Sequence, residues 1–195
     1  ASGVVVTQVP GWGEFVLAEM TQPFDAPDVS YFFPLMAQTE ARLGFRPRWG
    51  AFDAAFDAFY VYEYFHRPAD PCAFAAVPFS GRGGGDREPR RFSPEGLPLC
   101  RAGLPMPLKL TFTDRTTTRV EHQRGKYVCP LHFARPHDPA PCPLSDPRWA
   151  AKDGCTSMMP TSVGARIRHQ LDRDSALYQA VYRQRSAVER LDQCG

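Results

Sequence analysis

Apolar residues gather at 3–9 (GVVVTQV) and 13–21 (GEFVLAEMT), and these segments read as two strands separated by the turn dipeptide Pro10-Gly11. Beyond them Val29, Phe32, Phe33, Leu35, Met36 and Leu43 recur at helical spacing. They predict a helix over 29–43, with Asp28 as its N-cap and Gly44 as its stop. A short strand over 48–53 then leads into a second helix within AAFDAFYVYEYF, which ends before Pro68. Phe74, Ala75, Ala76, Val77 and Phe79 make a further short strand. The order strand, strand, helix, strand, helix, strand is that of an α/β domain.

From about residue 80 to 160 the pattern dissolves. A Gly/Arg stretch (GRGGGDREPRRF) is followed by LPLCRAGLPMPLKLTF and then by closely spaced Cys, His and Pro, with strands expected only at 108–113 and 116–129. So long an irregular connection is implausible inside one compact domain unless something staples it. Three parts follow: residues 1–79 and 161–195 as two portions of one α/β domain, and 80–160 as an inserted subdomain. The last portion opens with the basic segment GARIRHQLDR and closes with a helix from Ser175 to about Leu191.

Composition sharpens this in a few respects. Of 195 residues, 43% are apolar, enough for a sizeable core, while 20 are Pro, which excludes an all-helical bundle. There is no apolar run of membrane-spanning length, so no membrane partner is expected. The first residues have neither the basic start nor the long apolar stretch of a signal peptide, and with no initiator Met the chain is expected to begin partway through a longer protein. Net charge is only +2, but residues 1–45 carry −4 and the remainder +6. Arg supplies 20 of the 23 basic side chains. That bias suits phosphate oxygens, and it also follows from GC-rich coding. Six Cys could form three disulfides in a secreted protein; without a secretion signal, reduced thiols in a cytoplasm are expected.

Four features carry candidate chemistry. Tyr182, Arg185 and Glu189 stand three and four residues apart, which puts them on one helical face. A carboxylate there can hold a metal while its neighbours hold phosphate, or it can form an ordinary helical ion pair. Asp53 falls where a strand ends and a helix begins, the edge at which open α/β sheets place ligands. It and Asp57 equally suit a helix N-cap and a first-turn dipole partner. Cys100, Cys129, Cys142 and Cys155 lie in the insertion, with His122, His132 and His137 near them. Four thiolates, or three and an imidazole, suit a tetrahedral structural Zn²⁺. The intervening gaps of 28, 12 and 12 residues contain no C-x2-C pair, and separate buried thiols are the other reading. Last, Arg82, Arg87, Arg90 and Arg91, together with Arg166, Arg168 and Arg173, could track a DNA backbone or simply be solvated.

Taken in order, DAAFDAFYVYEYF, GLPLCRAGLPMPLK, DRTTTRVEH, KYVCPL, GCTSMMPTSVGARIRHQLDR and YRQRSAVER resemble bacterial insertion-sequence DDE transposases of the Tyr-Arg-Glu-Lys signature group, in a subgroup with a long insertion. The resemblance runs over nearly the whole chain. It implies an RNase H-like mixed sheet with flanking helices, interrupted by the Cys/His/Pro-rich insertion. It also implies Mg²⁺ (or Mn²⁺) held by two Asp and one Glu, with DNA, both transposon ends and target, as the partner. Asp53 would be the second Asp and Glu189 the Glu; Tyr182 and Arg185 would complete the signature, with Arg185 on DNA phosphate and Arg166 and Arg168 as further DNA contacts.

The chain departs from that pattern in two places. No Asp precedes Asp25, so the first catalytic Asp and its strand are expected to be missing, and the signature Lys would fall just beyond Gly195. A truncated, weakly active or inactive transposase is therefore expected, with a non-catalytic DNA-binding or zinc-stapled module as the alternative. An unpaired sheet edge and self-association into homo-oligomers should accompany the truncation.

Overall fold

The computed structural model describes residues 2–23, 25, 28–80, 89–115, 120–133, 141–150 and 154–186, with the side chains of 149 and 150 outside that set. The protein is a mixed α/β chain with three small sheets and five α-helices among the described residues. It divides into two compact units, residues 1–80 with 171–195, and residues 81–170.

In the first unit, β1 (Ser2–Val9) and β2 (Gly13–Thr21) form an antiparallel hairpin. Val5 faces Ala18 and Val6 faces Val16, so Leu17 is one residue too many on β2 and forms a bulge. The predicted helix begins later than its periodicity suggests. Residues Asp28–Tyr31 form a 3-10 turn, and α1 runs Phe32–Leu43 with no side-chain cap. Pro34 is the reason, because proline lacks an N–H and is tolerated only in a helix's first turn. Phe32, Leu35, Met36 and Thr39 form the buried face of α1. Gly44, at φ 73°, ends it, donating its N–H to the Glu40 carbonyl at 2.8 Å.

Strand β3 (Trp49–Ala51) pairs in parallel with β4 (Phe74–Ala76). The helix expected between them breaks in two. Ala54–Phe56 is a 3-10 turn, Asp57 and Ala58 leave helical geometry, and α2 spans Phe59–Phe65. Asp57 makes the break because its carboxylate is used elsewhere, accepting the Tyr62 hydroxyl and the Ser80 N–H, each at 2.7 Å. Helices cover both faces of this ladder. Phe65 of α2 lies over Gly50, where a Cβ would sit 2.5 Å from its ring. On the other face Phe74 stacks on Tyr178 of α5 (Ala176–Tyr182), with centroids 6.2 Å apart. Ser175 caps α5, its Oγ accepting the Tyr178 N–H at 3.2 Å. Where one helix to about Leu191 was expected, α5 gives way to a 3-10 turn at Arg183–Arg185.

The second unit is built on a three-stranded antiparallel sheet of β5 (Leu108–Asp114), β6 (His122–Val128) and β7 (Thr156–Pro160), in that order. The sequence offers no clear strand at β7, a five-residue segment ending in proline; as an edge strand it tolerates that proline. The Pro-rich stretch before β5 is ordered by two small loops that each reverse at a left-handed glycine, Gly96 and Gly103, and close through the bridges Phe92–Pro98 and Leu99–Pro105. Helix α3 (Pro130–Phe133) follows β6, and α4 (Val163–Gln170) follows β7. Met106, Tyr127, Val128, Cys129, Met159 and Ala165 are among the buried residues of this unit.

Candidate active site

Asp53 follows the C-terminal end of β3 and is exposed. Its Oδ1 accepts the Ala55 N–H at 2.8 Å, so it is the N-cap of the turn that replaces the helix start. It also lines a cavity of about 530 Å³. That cavity runs along β1 and β3, over Leu35, Met36 and Thr39 of α1, and ends at Val181, Gln184 and Arg185. Asp53 and Arg185, far apart in sequence, thus meet one space. Helix α1 connects β2 to β3, and the packing of Tyr178 on Phe74 holds the end of α5 at the same ladder.

Tyr182 has a packing role. It is half-buried and stacks on Tyr178 at 5.8 Å, while the Arg185 guanidinium sits over the Tyr182 ring at 5.8 Å. Glu189 lies outside the described residues, as do Cys194, Arg82, Arg87 and His137. Arg166 and Arg168 belong to α4 in the second unit. Arg166 packs its guanidinium against the backbone at Gly96, and Arg168 Nη1 stands 3.4 Å from His169 Nε2. Arg90 is tied inward too, through its N–H to His169 Nδ1 at 3.1 Å and its guanidinium to Ser157 Oγ. Arg91 is exposed.

Pattern reading missed the role of Arg173, which was grouped with the basic segment. The side chain turns inward in the first unit, donating to the Val77 carbonyl at 3.0 Å, the Leu171 carbonyl at 3.3 Å and the Tyr62 hydroxyl at 3.0 Å. Burial, with the Asp57 carboxylate beside it, raises the Tyr62 phenol well above its usual range. No local signal separates such an arginine from a solvated one, because two of its three partners, Val77 and Tyr62, lie about a hundred residues away.

In the second unit, Cys129 is buried, and Cys100, Cys142 and Cys155 are half-buried free thiols. Gly154, at φ +62°, backs onto Cys129 and His132: a Cβ there would lie 2.7 Å from Cys129 Cβ and 2.9 Å from His132 Cδ2. Burial raises the Cys155 thiol, and Asp146 and the neighbouring Cys129 and Cys142 push it the same way. Cys100 is held in its own turn, its carbonyl accepting the Gly103 N–H at 2.9 Å. The spacing C-x2-H at Cys129 and His132 was the available sequence signal for this neighbourhood. His122 is engaged through Nδ1 with the Val120 carbonyl at 3.0 Å. Among the described residues no three His, Cys, Asp or Glu side chains converge as a metal site.

Among the described residues no helix is long and apolar enough to cross a membrane. No protein-family model, no curated protein and no solved structure matches the chain.

Proposed function

We propose that the chain is part of a DDE-type DNA transposase, an enzyme that cuts and joins DNA by metal-dependent phosphoryl transfer, and that its first unit is a portion of an RNase H-like catalytic domain. The observation that supports this is the shared cavity, lined both by Asp53, just past the C-terminal end of a parallel strand, and by Arg185. An arginine there suits a phosphate oxygen, which it can grip with two N–H groups. The described lining offers a single carboxylate, Asp53, which by itself would hold a divalent ion only weakly; Glu189 would have to supply another. Cleavage by this chain alone is accordingly very weak. The test is Mg²⁺-dependent nicking of DNA by the purified chain, compared with Asp53→Ala and Glu189→Ala. Nicking lost in both variants supports the enzyme.

DNA binding that survives both changes, with no nicking, supports a second reading, a transposase-derived binding module stapled by zinc. Gly154 backs onto Cys129 and His132, with Cys155 next in the chain, which gathers candidate ligands in one neighbourhood, although among the described residues they do not converge as a metal site. Three thiolates and an imidazole are a common structural zinc set. That reading requires about one zinc per chain on metal analysis of the purified protein; its absence removes zinc from the account.

A further inference from the structure

The register of the second unit's sheet fixes which side chains share a face. Paired residues of an antiparallel ladder project to the same side, as do alternate residues along a strand. Arg124 is opposite Phe112 and Pro160, and Lys126 is opposite Leu110 and Met158. These six side chains form two rows across one face of β5, β6 and β7. The other face carries Tyr127 and Met159, both buried, so it is the one turned to the core. On the first face Leu110, Phe112 and Met158 are 46%, 38% and 47% exposed. The apolar side chains stand on the outer strands, while the central strand presents cations. Arg124 is held by Asp114, which accepts its Nη1 at 3.0 Å, and Lys126 is half-buried. Beyond the two rows the same face carries Val128 at one end and Asp114 at the other, both buried. The open part is therefore about 10 Å wide and about 7 Å long, room for one or two planar rings.

We propose that this sheet face binds unpaired bases of single-stranded DNA, with Phe112 stacking on a base and Lys126 meeting the adjoining phosphate. Charge selects an anionic polymer. Residues 81–170 hold 15 Lys and Arg against 8 Asp and Glu, a net +7, while the rest of the chain carries −5. The mixture of side chains selects its form. A duplex keeps the faces of its bases inside the stack and offers phosphates outward, so Leu110, Phe112 and Met158 gain little from it. An unpaired base presents its ring face, which an aromatic on an apolar platform covers regardless of sequence. A protein partner fits less well, because the centres of such interfaces are poor in charge, and here the cations stand in the middle. Arg124 acts as a positioning residue, fixed by Asp114 directly across from Phe112. The choice of DNA rests on the reading proposed above. The face, its residues and the preference for unpaired bases come from the sheet itself, and neither Asp53 nor Glu189 belongs to it.

The experiment is fluorescence anisotropy of the full chain at low salt, with a labelled oligothymidylate of about twelve residues and a duplex of equal length. The parent should bind the single strand more tightly than the duplex. Phe112→Ala should weaken single-strand binding about tenfold or more and change duplex binding by less than about twofold. Lys126→Gln should weaken it too and lower its salt dependence by about one counterion. Phe112→Trp should keep the affinity, and the single strand should quench its indole fluorescence beyond any quenching in the parent. Equal single-strand affinity for Phe112→Ala and the parent overturns the proposal, as does a parent that prefers the duplex. Should Phe112→Ala fail to fold, Phe112→Trp decides, and no added quenching overturns the proposal. An oligouridylate that binds more tightly than the oligothymidylate overturns DNA as the occupant. Nicking is read separately: its loss in Asp53→Ala with single-strand binding intact leaves this face standing, and an unaffected Phe112→Ala leaves the cleavage reading standing.

Discussion

The Tyr62 hydroxyl donates to Asp57 Oδ1 at 2.7 Å while accepting from Arg173 Nη2 at 3.0 Å, so one phenol links the break before α2 to the return of the chain after the second unit. Asp57 Oδ2 accepts the Ser80 N–H at 2.7 Å, the residue at which the chain leaves the first unit. Tyr62→Phe removes a hydrogen bond to a carboxylate and leaves its half-buried partners without the hydroxyl. The expected loss is about 1–3 kcal/mol, read as a lower urea midpoint. An unchanged midpoint would mean the network does not hold the unit together.

Asp53 serves as an N-cap whatever else it does, and this separates two roles by substitution. Asp53→Asn keeps an oxygen for the Ala55 N–H and should stay within about 0.5 kcal/mol of the parent, while Asp53→Ala should lose about 0.5–2 kcal/mol. Any Mg²⁺-dependent nicking should fall in both. Nicking retained in Asp53→Asn would assign this carboxylate to capping alone.

Gly154 combines a left-handed backbone with contact against Cys129 and His132. Gly154→Ala meets both penalties, left-handed strain and overpacking, and should destabilise the second unit by about 2–4 kcal/mol. Hydrogen exchange across β6 and β7 reports it. Gly103→Ala, at φ +78° with open space around its Cβ, should show the strain alone and cost less.

Asp146 is gripped by Arg148, whose Nε and Nη2 donate at 3.1 and 2.8 Å and whose backbone N–H donates at 3.0 Å. These bonds lower its carboxyl to about 2, with Arg101 adding attraction from 3.7 Å. A carboxyl depressed in the folded state stabilises the fold above its unfolded value, about 3.9, and that contribution is lost as pH falls toward 2. Thermal melts from pH 6 to pH 2 should show the gap between the parent and Asp146→Asn narrowing below about pH 4. A gap that stays constant would show that the bonds to Arg148 do not favour the ionised form.

Phe65 is 1% exposed and packs on Phe52 and beneath Gly50. Phe65→Ala should cost about 3–5 kcal/mol and loosen β3 against β4, measurable as a lower melting temperature.

Local patterns sufficed for the hairpin of β1 and β2, the buried face of α1 and its stop at Gly44, because alternation, helical periodicity and left-handed glycine are properties of neighbouring residues. They misjudged the helix after Asp53, which looked continuous until the Asp57 carboxylate was drawn to Tyr62 and Ser80. They also passed over β7, too short and too rich in proline and methionine to signal a strand before β6 lay beside it. Asp53 and Arg185 were each visible as candidates, yet nothing along the chain says that they share a cavity. That convergence comes from packing: α1 carries the chain over to β3, aromatic stacking on Phe74 holds α5, and only the folded arrangement of the two brings side chains so distant in sequence to the same cavity.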